Sequence, residues 1–210
     1  MTTDGDVVSA KRALRDELLA WRRANPSDHI AAASSVVVAA LRTLPELAGP
    51  TPASAGGSDG ALRGLLLYAA DPDEVSLDAL ITAPPAGWRV LLPRVEHGAI
   101  VPVPCPPGTP LATGHRGIRE PSGDPVGADA VGAVVIPGVA FTPAGARLGR
   151  GAGMYDRLLP QLRGAVRIGV CIEPLVRDAL PVEAHDASVD LVVTDASVRR
   201  SPMTRTVGPA

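Results

Sequence analysis

The stretch VGAVVIPG, residues 131–138, decides the fold, because it is a continuous apolar run that ends in proline and glycine. Such a run is typical of a strand that is buried on both faces of a parallel sheet. Five other short apolar runs are strand candidates, and two segments between them are helix candidates. The strand candidates are residues 65–69, 89–92, 100–103, 166–170 and 191–193, and the helix candidates are residues 75–82 and 155–162. This alternation predicts a layered α/β domain.

Two helices are predicted ahead of the first strand. Apolar residues recur at helical spacing over residues 7–24, and a second helix is expected to begin at Ser27 or Asp28 and to run to about Leu44. Because 210 residues suffice for one substantial core, we expect residues 1–198 to form a single domain.

Three segments are predicted to lack regular structure. Residues 48–63 are rich in proline, alanine, serine and glycine and predict a flexible loop. Residues 102–127 are rich in proline and glycine and should be mostly loop, which at this length is usually functional or mobile. Residues 199–210 are expected to form a disordered tail.

Composition excludes several classes of function. The net charge of −2 argues against a globally basic nucleic-acid binder, although it does not exclude a local basic patch. No stretch approaches the roughly 18 apolar residues that a membrane span needs, and the polar N-terminus carries no targeting signal. We therefore expect a soluble, cytoplasmic monomer that binds neither nucleic acid nor membranes.

Cys105 and Cys171 lie far apart and are expected to be reduced and structural. The four histidines show no metal-ligand spacing either.

The basic residues are unusual, because 19 of the 20 are arginine and the single lysine is Lys11. A compact ammonium is hard to replace where a point charge must meet a phosphate. Lys11 and Arg15 are four residues apart and so share a helix face. They lie toward the predicted helix N-terminus, where the helix dipole disfavours cations. A bound anion would compensate for this placement, whereas an ordinary solvated helix flank is the alternative interpretation.

The strongest signal for a site is GARLGRGAGMYD, residues 145–156. Glycines at 149, 151 and 153 would let backbone N–H groups approach an anion closely, ahead of a predicted helix. Arg147 and Arg150 stand among them as candidate phosphate ligands. A Rossmann fingerprint does not fit, because Met154 stands where it needs glycine, and no Gly-Lys pair exists for a P-loop. A glycine-rich connector with solvated arginines is the alternative.

The pattern over residues 136–156 resembles the signature of the 5-formyltetrahydrofolate cyclo-ligase family, roughly P-G-x-x-F-D followed by G-x-R-L-G-x-G-x-G-x-Y-D. Other features of that family follow the same order from about residue 8 to residue 195. They are Lys11-Arg12-x-Leu14-Arg15, Tyr68 with Asp73-Glu74-Val75, Leu92-Pro93-Arg94, Gly117-Ile118-x-Glu120-Pro121, and Leu180-Pro181-x-Glu183-x-His185-Asp186 with Val189-Asp190.

The resemblance implies a fold and an activity. The fold would be a three-layer α/β/α arrangement around an open, mostly parallel sheet, similar to the sugar-isomerase and CoA-transferase superfamily. The enzyme would use ATP and Mg²⁺ to cyclise 5-formyltetrahydrofolate to 5,10-methenyltetrahydrofolate, with ADP and phosphate as the other products. ATP would phosphorylate the formyl oxygen, N10 would attack the formyl carbon, and phosphate would leave. Positioning and charge neutralisation dominate such phosphoryl transfers.

The resemblance also implies roles for individual residues. The ATP ligands would be Lys11, Arg15, Arg147, Leu148, Gly149, Arg150, Gly151, Ala152, Gly153, Met154 and Tyr155. The folate would contact Ala69, Glu74, Arg150, Gly151, Gly153 and Met154, with Glu120 lining the same pocket. Glu74 would accept paired N–H bonds from the pterin, and Asp156 and Asp190 would bind Mg²⁺. From the residues alone, both Glu74 and Asp156 are equally typical of acids in the first turn of a helix, and Asp190 of a turn at a strand edge.

Several positions depart from the family pattern. Thr142 stands where aspartate is usual, Ala152 where glycine or lysine is frequent, and Met154 where tyrosine is frequent. These departures motivate one alternative, a non-catalytic folate-binding paralogue of the same fold. A second alternative is an isomerase or transferase of a phosphorylated small molecule. Such an enzyme would use the arginines for the phosphate of its substrate and would have no use for Lys11 and Arg15.

Overall fold

The computed structural model describes residues 4–24, 27–48 and 62–202. Two long helices open the chain, α1 (Asp4–Ala24) and α2 (Ser27–Thr43), as predicted. Helix α2 buries Ile30, Val37 and Leu41 on one face, which is the spacing that a helix packed on a sheet requires. Within the described residues, no helix is both long enough and apolar enough to span a membrane.

The strands of the described residues form one large and two small sheets. In chain order they are β1 (Arg63–Leu66), β2 (Trp88–Glu96), β3 (Ala99–Pro104), β4 (Leu111–Thr113), β5 (Arg119–Pro121), β6 (Val131–Pro137), β7 (Ala140–Phe141), β8 (Arg147–Leu148), β9 (Val166–Val170), β10 (Leu191–Val193) and β11 (Val198–Arg200). Two short helices, α3 (Asp78–Thr82) and α4 (Met154–Leu158), lie between them, together with 3-10 turns at Pro45–Leu47, His115–Gly117, Ala128–Ala130, Leu159–Gln161 and Glu173–Leu175. Each of the six predicted strands overlaps an observed one.

The large sheet has the order β11-β10-β9-β6-β1-β2-β3. Its five inner strands are parallel, and β3 and β11 close its two edges antiparallel to their neighbours. Residues 131–136 of β6 are buried at every position, so both faces of the sheet are covered. The predicted α/β fold with a mostly parallel sheet is confirmed. One cluster of buried apolar residues extends from Leu18 in α1 to Val193 in β10.

Two predictions about irregular segments differ in detail from the structure. Strands are a minority of the stretch 102–127, in line with the prediction of mostly loop, but β4 and β5 pair within it as a hairpin. Strands of three residues are too short to show an alternating pattern, so the sequence did not indicate this hairpin. The predicted tail begins too early, since Arg199 and Arg200 lie in β11 and pair with β10. Arg63, at the end of the predicted loop 48–63, likewise belongs to β1, while residues 49–61 and 203–210 lie outside the described residues.

Parallel strands share one edge at which all of their carboxyl ends meet. In this sheet, residues 67–74 follow β1 and residues 138–156 follow β6, the neighbouring strand. Ligands of open α/β sheets bind beyond this edge. The topology therefore brings the glycine-rich loop and Glu74 to the same side of the molecule.

Candidate active site

Gly138, the first residue after β6, is required by the packing of a neighbouring aromatic ring. A Cβ at Gly138 would lie 2.5 Å from the ring of Phe141, which is fully buried. The glycine therefore admits the aromatic ring three residues later, and this explains the spacing of the P-G-x-x-F pattern. Strand β7, which contains Phe141, then pairs with β8 and returns the chain toward the sheet edge.

Thr142 closes the turn between β7 and β8. Its hydroxyl accepts a hydrogen bond of 3.0 Å from the backbone N–H of Ala146, and the side chain is buried. Aspartate side chains commonly cap turns in this way. The departure from the family pattern at this position therefore keeps an oxygen acceptor in the turn.

The run from Arg147 to Asp156 forms a wall between two cavities. Gly151 and Gly153 have φ values of +102° and +62°, a backbone conformation that favours glycine. On one side lies an apolar cavity of about 250 Å³, and on the other a groove of about 530 Å³. Residues that line both are Arg147, Gly149, Arg150, Gly151, Gly153 and Asp156. We call this run the shared wall.

The apolar cavity contains the residues predicted to contact folate. Ala69, Glu74 and Glu120 line it, together with Ala152, Met154 and Tyr155 from the shared wall. The remaining surface includes Pro93 and Val95 of β2, Ile100 of β3 and Ile118. The structure thus brings together every predicted folate-contacting residue.

Glu74 places a largely buried carboxylate in the apolar cavity. Its side chain is 10% exposed, and its Oε1 accepts a 3.0 Å bond from Nε of Arg150. Burial raises the pKa of the Glu74 carboxyl, and the opposing influence of Arg150 does not cancel that effect. Arg150 also contacts Asp73 at 2.6 Å and Asp71 at 3.3 Å. The arginine therefore has carboxylate partners besides Glu74.

Arg147 and Asp156 form the second ion pair of the shared wall. The Arg147 guanidinium is buried, donates to Oδ1 of Asp156 at 2.8 Å, and lies 5.7 Å from the ring centroid of Tyr155. The same Asp156 oxygen accepts a 3.3 Å bond from the backbone N–H of Ala187. Asp156 thereby connects the wall to the segment that precedes β10.

The groove is bounded by α1 and by the segment around residue 185. Lys11 is only 7% exposed, and its ammonium lies 2.6 Å from Glu183 and 2.5 Å from Asp186. Burial alone lowers the pKa of Lys11, but the hydrogen bonds to Asp186 and Glu183 outweigh it and the pKa is raised. Arg15, one turn further along α1, donates to the carbonyl of Gly149 at 2.8 Å. Both predicted α1 cations thus line the groove.

The carboxylates of the groove suit a hard divalent cation, which prefers oxygen ligands. Asp156, Glu183 and Asp186 all line the groove. The predicted second ligand, Asp190, lies elsewhere: it precedes β10, and its carboxylate accepts a 2.8 Å bond from the backbone N–H of Arg167. Of the described residues, Asp190 is among those that line neither cavity. The groove therefore offers Asp156, Glu183 and Asp186 as oxygen ligands for Mg²⁺, whereas Asp190 lies outside its lining.

Sequence reasoning missed four residues of the two cavities and their supports. Glu183 and Asp186 were matched to a family motif, but no role was assigned to them. They are three residues apart and follow a proline, a pattern that could have indicated a turn with two acidic side chains. Arg22 is buried and donates to the carbonyls of Gly138 and Val139, and a helical arginine gives no sign of this. Arg116 lines the apolar cavity, within a stretch predicted to be loop.

Fold and cavities together define a class: an α/β protein with an apolar cavity and a charged groove on opposite sides of one loop. The profile of the 5-formyltetrahydrofolate cyclo-ligase family matches residues 65–195, which include both cavity walls that follow β1 and β6. The chain belongs to that family.

Individual relatives agree with this assignment. The chain is 35% identical over 134 residues to the 5-formyltetrahydrofolate cyclo-ligase of Mycolicibacterium smegmatis, a match that covers 59% of this chain and 68% of the relative. The NMR structure of Aquifex aeolicus 5,10-methenyltetrahydrofolate synthetase superposes with a TM-score of 0.74 at 31% identity, covering 93% of this chain and 95% of the other. A synthetase from Mycoplasma pneumoniae shares the fold, with a TM-score of 0.63 at 23% identity over 88% and 98% of the two chains.

Proposed function

We propose that the protein cyclises 5-formyltetrahydrofolate to 5,10-methenyltetrahydrofolate with consumption of Mg-ATP. The observation that carries this proposal is the shared wall, because one loop lines both an apolar cavity and a groove rich in charge. A reaction that transfers a phosphoryl group from a nucleotide to a folate needs such an arrangement. The relatives named as cyclo-ligases support the same reaction.

The folate would occupy the apolar cavity with its pterin next to Glu74. The ionised carboxylate can accept two N–H bonds from the amino-pyrimidine ring, and the apolar side chains of Val95, Ile100 and Met154 would pack on the ring system. Arg150 donates a hydrogen bond to Glu74. The pterin would take over that carboxylate, and Arg150 would keep its contact with Asp73, 2.6 Å away.

The triphosphate would occupy the groove beside Lys11 and Arg15. An ammonium and a guanidinium on one face of α1 can hold phosphate oxygens, and the backbone of residues 149–153 lies opposite them. Mg²⁺ would supply further neutralisation of the phosphate charge, with Asp156 as its protein ligand and Glu183 or Asp186 in reach of the same groove. The terminal phosphate would then meet the formyl oxygen across the shared wall.

Transfer breaks the bond between the β,γ-bridging oxygen and the γ-phosphorus of ATP and joins that phosphorus to the formyl oxygen. N10 then attacks the activated formyl carbon and gives up its proton, and inorganic phosphate leaves with the former formyl oxygen and can take up that proton. Arg147 and Arg150, which belong to the shared wall, would hold the transferred group and offset its charge. The apolar lining would limit the access of water to the phosphorylated intermediate.

The test is a spectrophotometric assay for methenyltetrahydrofolate with purified protein, 5-formyltetrahydrofolate and Mg-ATP. We expect an absorbance increase that requires both ATP and Mg²⁺, and stoichiometric release of phosphate. A folded protein that binds 5-formyltetrahydrofolate but gives no product would instead be the non-catalytic paralogue. A folded protein that binds no folate would exclude both, and would favour an enzyme of a phosphorylated small molecule.

A further inference from the structure

The turn between β4 and β5 contributes to the lining of the apolar cavity. His115 and Arg116 stand at this turn, and both are exposed and line the cavity. Arg116 has φ +55° and ψ +26°, and Gly117 follows with φ +81°. A left-handed conformation is uncommon for a residue other than glycine, and here it determines where the arginine side chain leaves the turn.

Glu120 fastens this turn to the main sheet. Its Oε1 accepts a 3.1 Å bond from the backbone N–H of His115 and a 3.3 Å bond from the backbone N–H of Val95 in β2. The turn is closed further by a 2.8 Å bond from the N–H of Gly114 to the carbonyl of Ile118. Arg116 therefore projects from a turn with a fixed position relative to the cavity.

Arg116 differs from the other arginines of the cavity in its charge environment. Arg147 and Arg150 are each paired with carboxylates. Arg116 has neither an ion pair nor a side-chain hydrogen bond with any residue in the described ranges. The nearby acid, Glu120, is engaged by two backbone N–H groups. The cavity thus carries one guanidinium whose charge no carboxylate of the described chain offsets.

The cavity lining offers three kinds of surface. Glu74 is a carboxylate that follows β1, Val95 and Ile100 are apolar residues of β2 and β3, and Arg116 is a cation on the hairpin fastened to β2. A folate carries a matching partner for each: a pterin with N–H donors, an aromatic ring, and a glutamate with carboxylates. We propose that Arg116 binds a carboxylate of the glutamate tail of the folate. This inference rests on the proposed function and assigns a tail subsite to the same cavity.

A guanidinium suits this role, since its planar donors can bind a carboxylate through two parallel hydrogen bonds. The site is exposed, so the contact is screened by solvent and should be worth a modest factor in affinity. It should therefore discriminate ligands with and without a tail and leave the chemistry of the formyl group unchanged.

The experiment compares 5-formyltetrahydrofolate with 5-formyltetrahydropteroate, which lacks the glutamate. Equilibrium binding of each to the full-length protein is measured by titration calorimetry, and KM and kcat are measured in parallel. The variant is Arg116→Asn, because asparagine tolerates the left-handed conformation and should preserve the turn. The matched control is Arg119→Asn on the same hairpin, where the arginine pairs with Asp78 at 2.6 Å and does not line the apolar cavity.

We expect wild-type protein to bind the tailed ligand more tightly than the tail-less one. R116N should weaken the tailed ligand by roughly three- to tenfold, leave the tail-less ligand and kcat unchanged, and remove the salt dependence of the difference. R119N should keep the wild-type preference.

Equal weakening of both ligands by R116N would show a structural role and overturn the proposal, as would a wild-type protein without any preference. A wild-type protein that binds 5-formyltetrahydrofolate but forms no product refutes the proposed reaction alone, and the binding ratio then still decides the role of Arg116. A wild-type protein that binds neither ligand overturns both.

Discussion

The two sides of the shared wall satisfy their charges in different ways. In the groove, the buried Lys11 ammonium lies between two carboxylates, at 2.6 and 2.5 Å. In the apolar cavity, one buried carboxylate, Glu74, meets a single guanidinium, that of Arg150. The closely spaced opposite charges of the groove suit a ligand that has several negative charges and binds together with a metal cation. A largely buried carboxylate with one arginine partner, next to apolar side chains, suits a neutral heteroaromatic ring with N–H donors.

The two arginines of the wall have their partners on opposite sides. Arg147 is bonded to Asp156, which lies against the groove segment at Ala187. Arg150 is bonded to Glu74 and Asp73, which follow β1. Variants on each side should have effects confined to one ligand, except where they alter the wall itself.

The largest effect is expected from Asp156→Asn, because Asp156 belongs to the wall. The change removes the proposed Mg²⁺ ligand and the carboxylate partner of the buried Arg147. We expect kcat to fall on the order of 100-fold, with a higher Mg²⁺ concentration needed for half-maximal activity. The measurement is methenyltetrahydrofolate formation over a Mg²⁺ titration.

Asp190→Asn is the matched control for that variant. The Asp190 carboxylate holds the backbone N–H of Arg167 at 2.8 Å, so its loss should lower the melting temperature and leave the Mg²⁺ dependence unchanged. If D190N shifts the Mg²⁺ dependence and D156N does not, the metal ligand is Asp190 and the groove assignment is wrong.

Lys11→Met tests the groove alone. Methionine keeps an unbranched chain, but it removes the ammonium and leaves Glu183 and Asp186 without their cation. We expect the KM for ATP to rise by roughly tenfold or more and the KM for 5-formyltetrahydrofolate to stay within about twofold of wild type. Arg23→Met, at an exposed position of the same helix, should change neither. An equal rise in both KM values would show that the two cavities do not act separately.

The contrast between the cavities was only partly visible in the sequence. Periodicity and apolar runs predicted α1, α2 and the main strands, because these elements are determined by local pattern and burial. The 145–156 motif predicted the wall because its glycines and arginines are contiguous. The ion pairs were not predictable, since Lys11 meets a residue 172 positions away and Arg150 one 76 positions away. Such contacts depend on the strand order, and no local spacing encodes that order.

Asp190 and Thr142 have backbone partners that a family pattern does not specify. The pattern assigns Asp190 to the metal, and in the structure its carboxylate accepts a hydrogen bond from the backbone N–H of Arg167. Thr142 stands where the family usually has an acid, and its hydroxyl accepts a hydrogen bond from the backbone N–H of Ala146. A sequence motif names the polar side chain but not the backbone group that it meets.

Glu74→Gln tests the apolar cavity through its pH dependence. Pterin binding needs the ionised carboxylate, and burial raises the pKa of Glu74 in the folded protein. The KM for the folate should therefore fall in wild type as pH rises through that raised pKa. The glutamine variant should show a flat profile and a KM roughly tenfold higher at neutral pH, with an unchanged KM for ATP.

The raised pKa of Glu74 also makes the stability of the folded protein depend on pH. Unfolded protein releases the Glu74 proton at the ordinary glutamate pKa and folded protein only at higher pH, so between these values the folded state binds more protons. This contribution favours folding at low pH and is lost as pH rises through the window. E74Q should therefore gain stability relative to wild type as pH increases, measured by thermal melts. Glu96→Gln, at a partly exposed β2 carboxylate outside both cavities, serves as the control, and a parallel response in E96Q would contradict the assignment to Glu74.

The smallest effect is expected from Thr142→Val, which changes neither cavity. Valine matches threonine in shape, but it removes the acceptor for the N–H of Ala146 in a buried turn. We expect the free energy of unfolding to fall by about 1–2 kcal/mol, measured by urea denaturation. Thr142→Ser, which keeps the hydroxyl, should lose less of the free energy of unfolding.

Both Thr142 variants should keep the two KM values within about twofold, because the turn positions β7 and β8 and does not itself line a cavity. A larger change in only one KM value would show that the turn controls the position of the wall on that side, and the separation of the two cavities would then depend on the β7–β8 hairpin as well as on the charges.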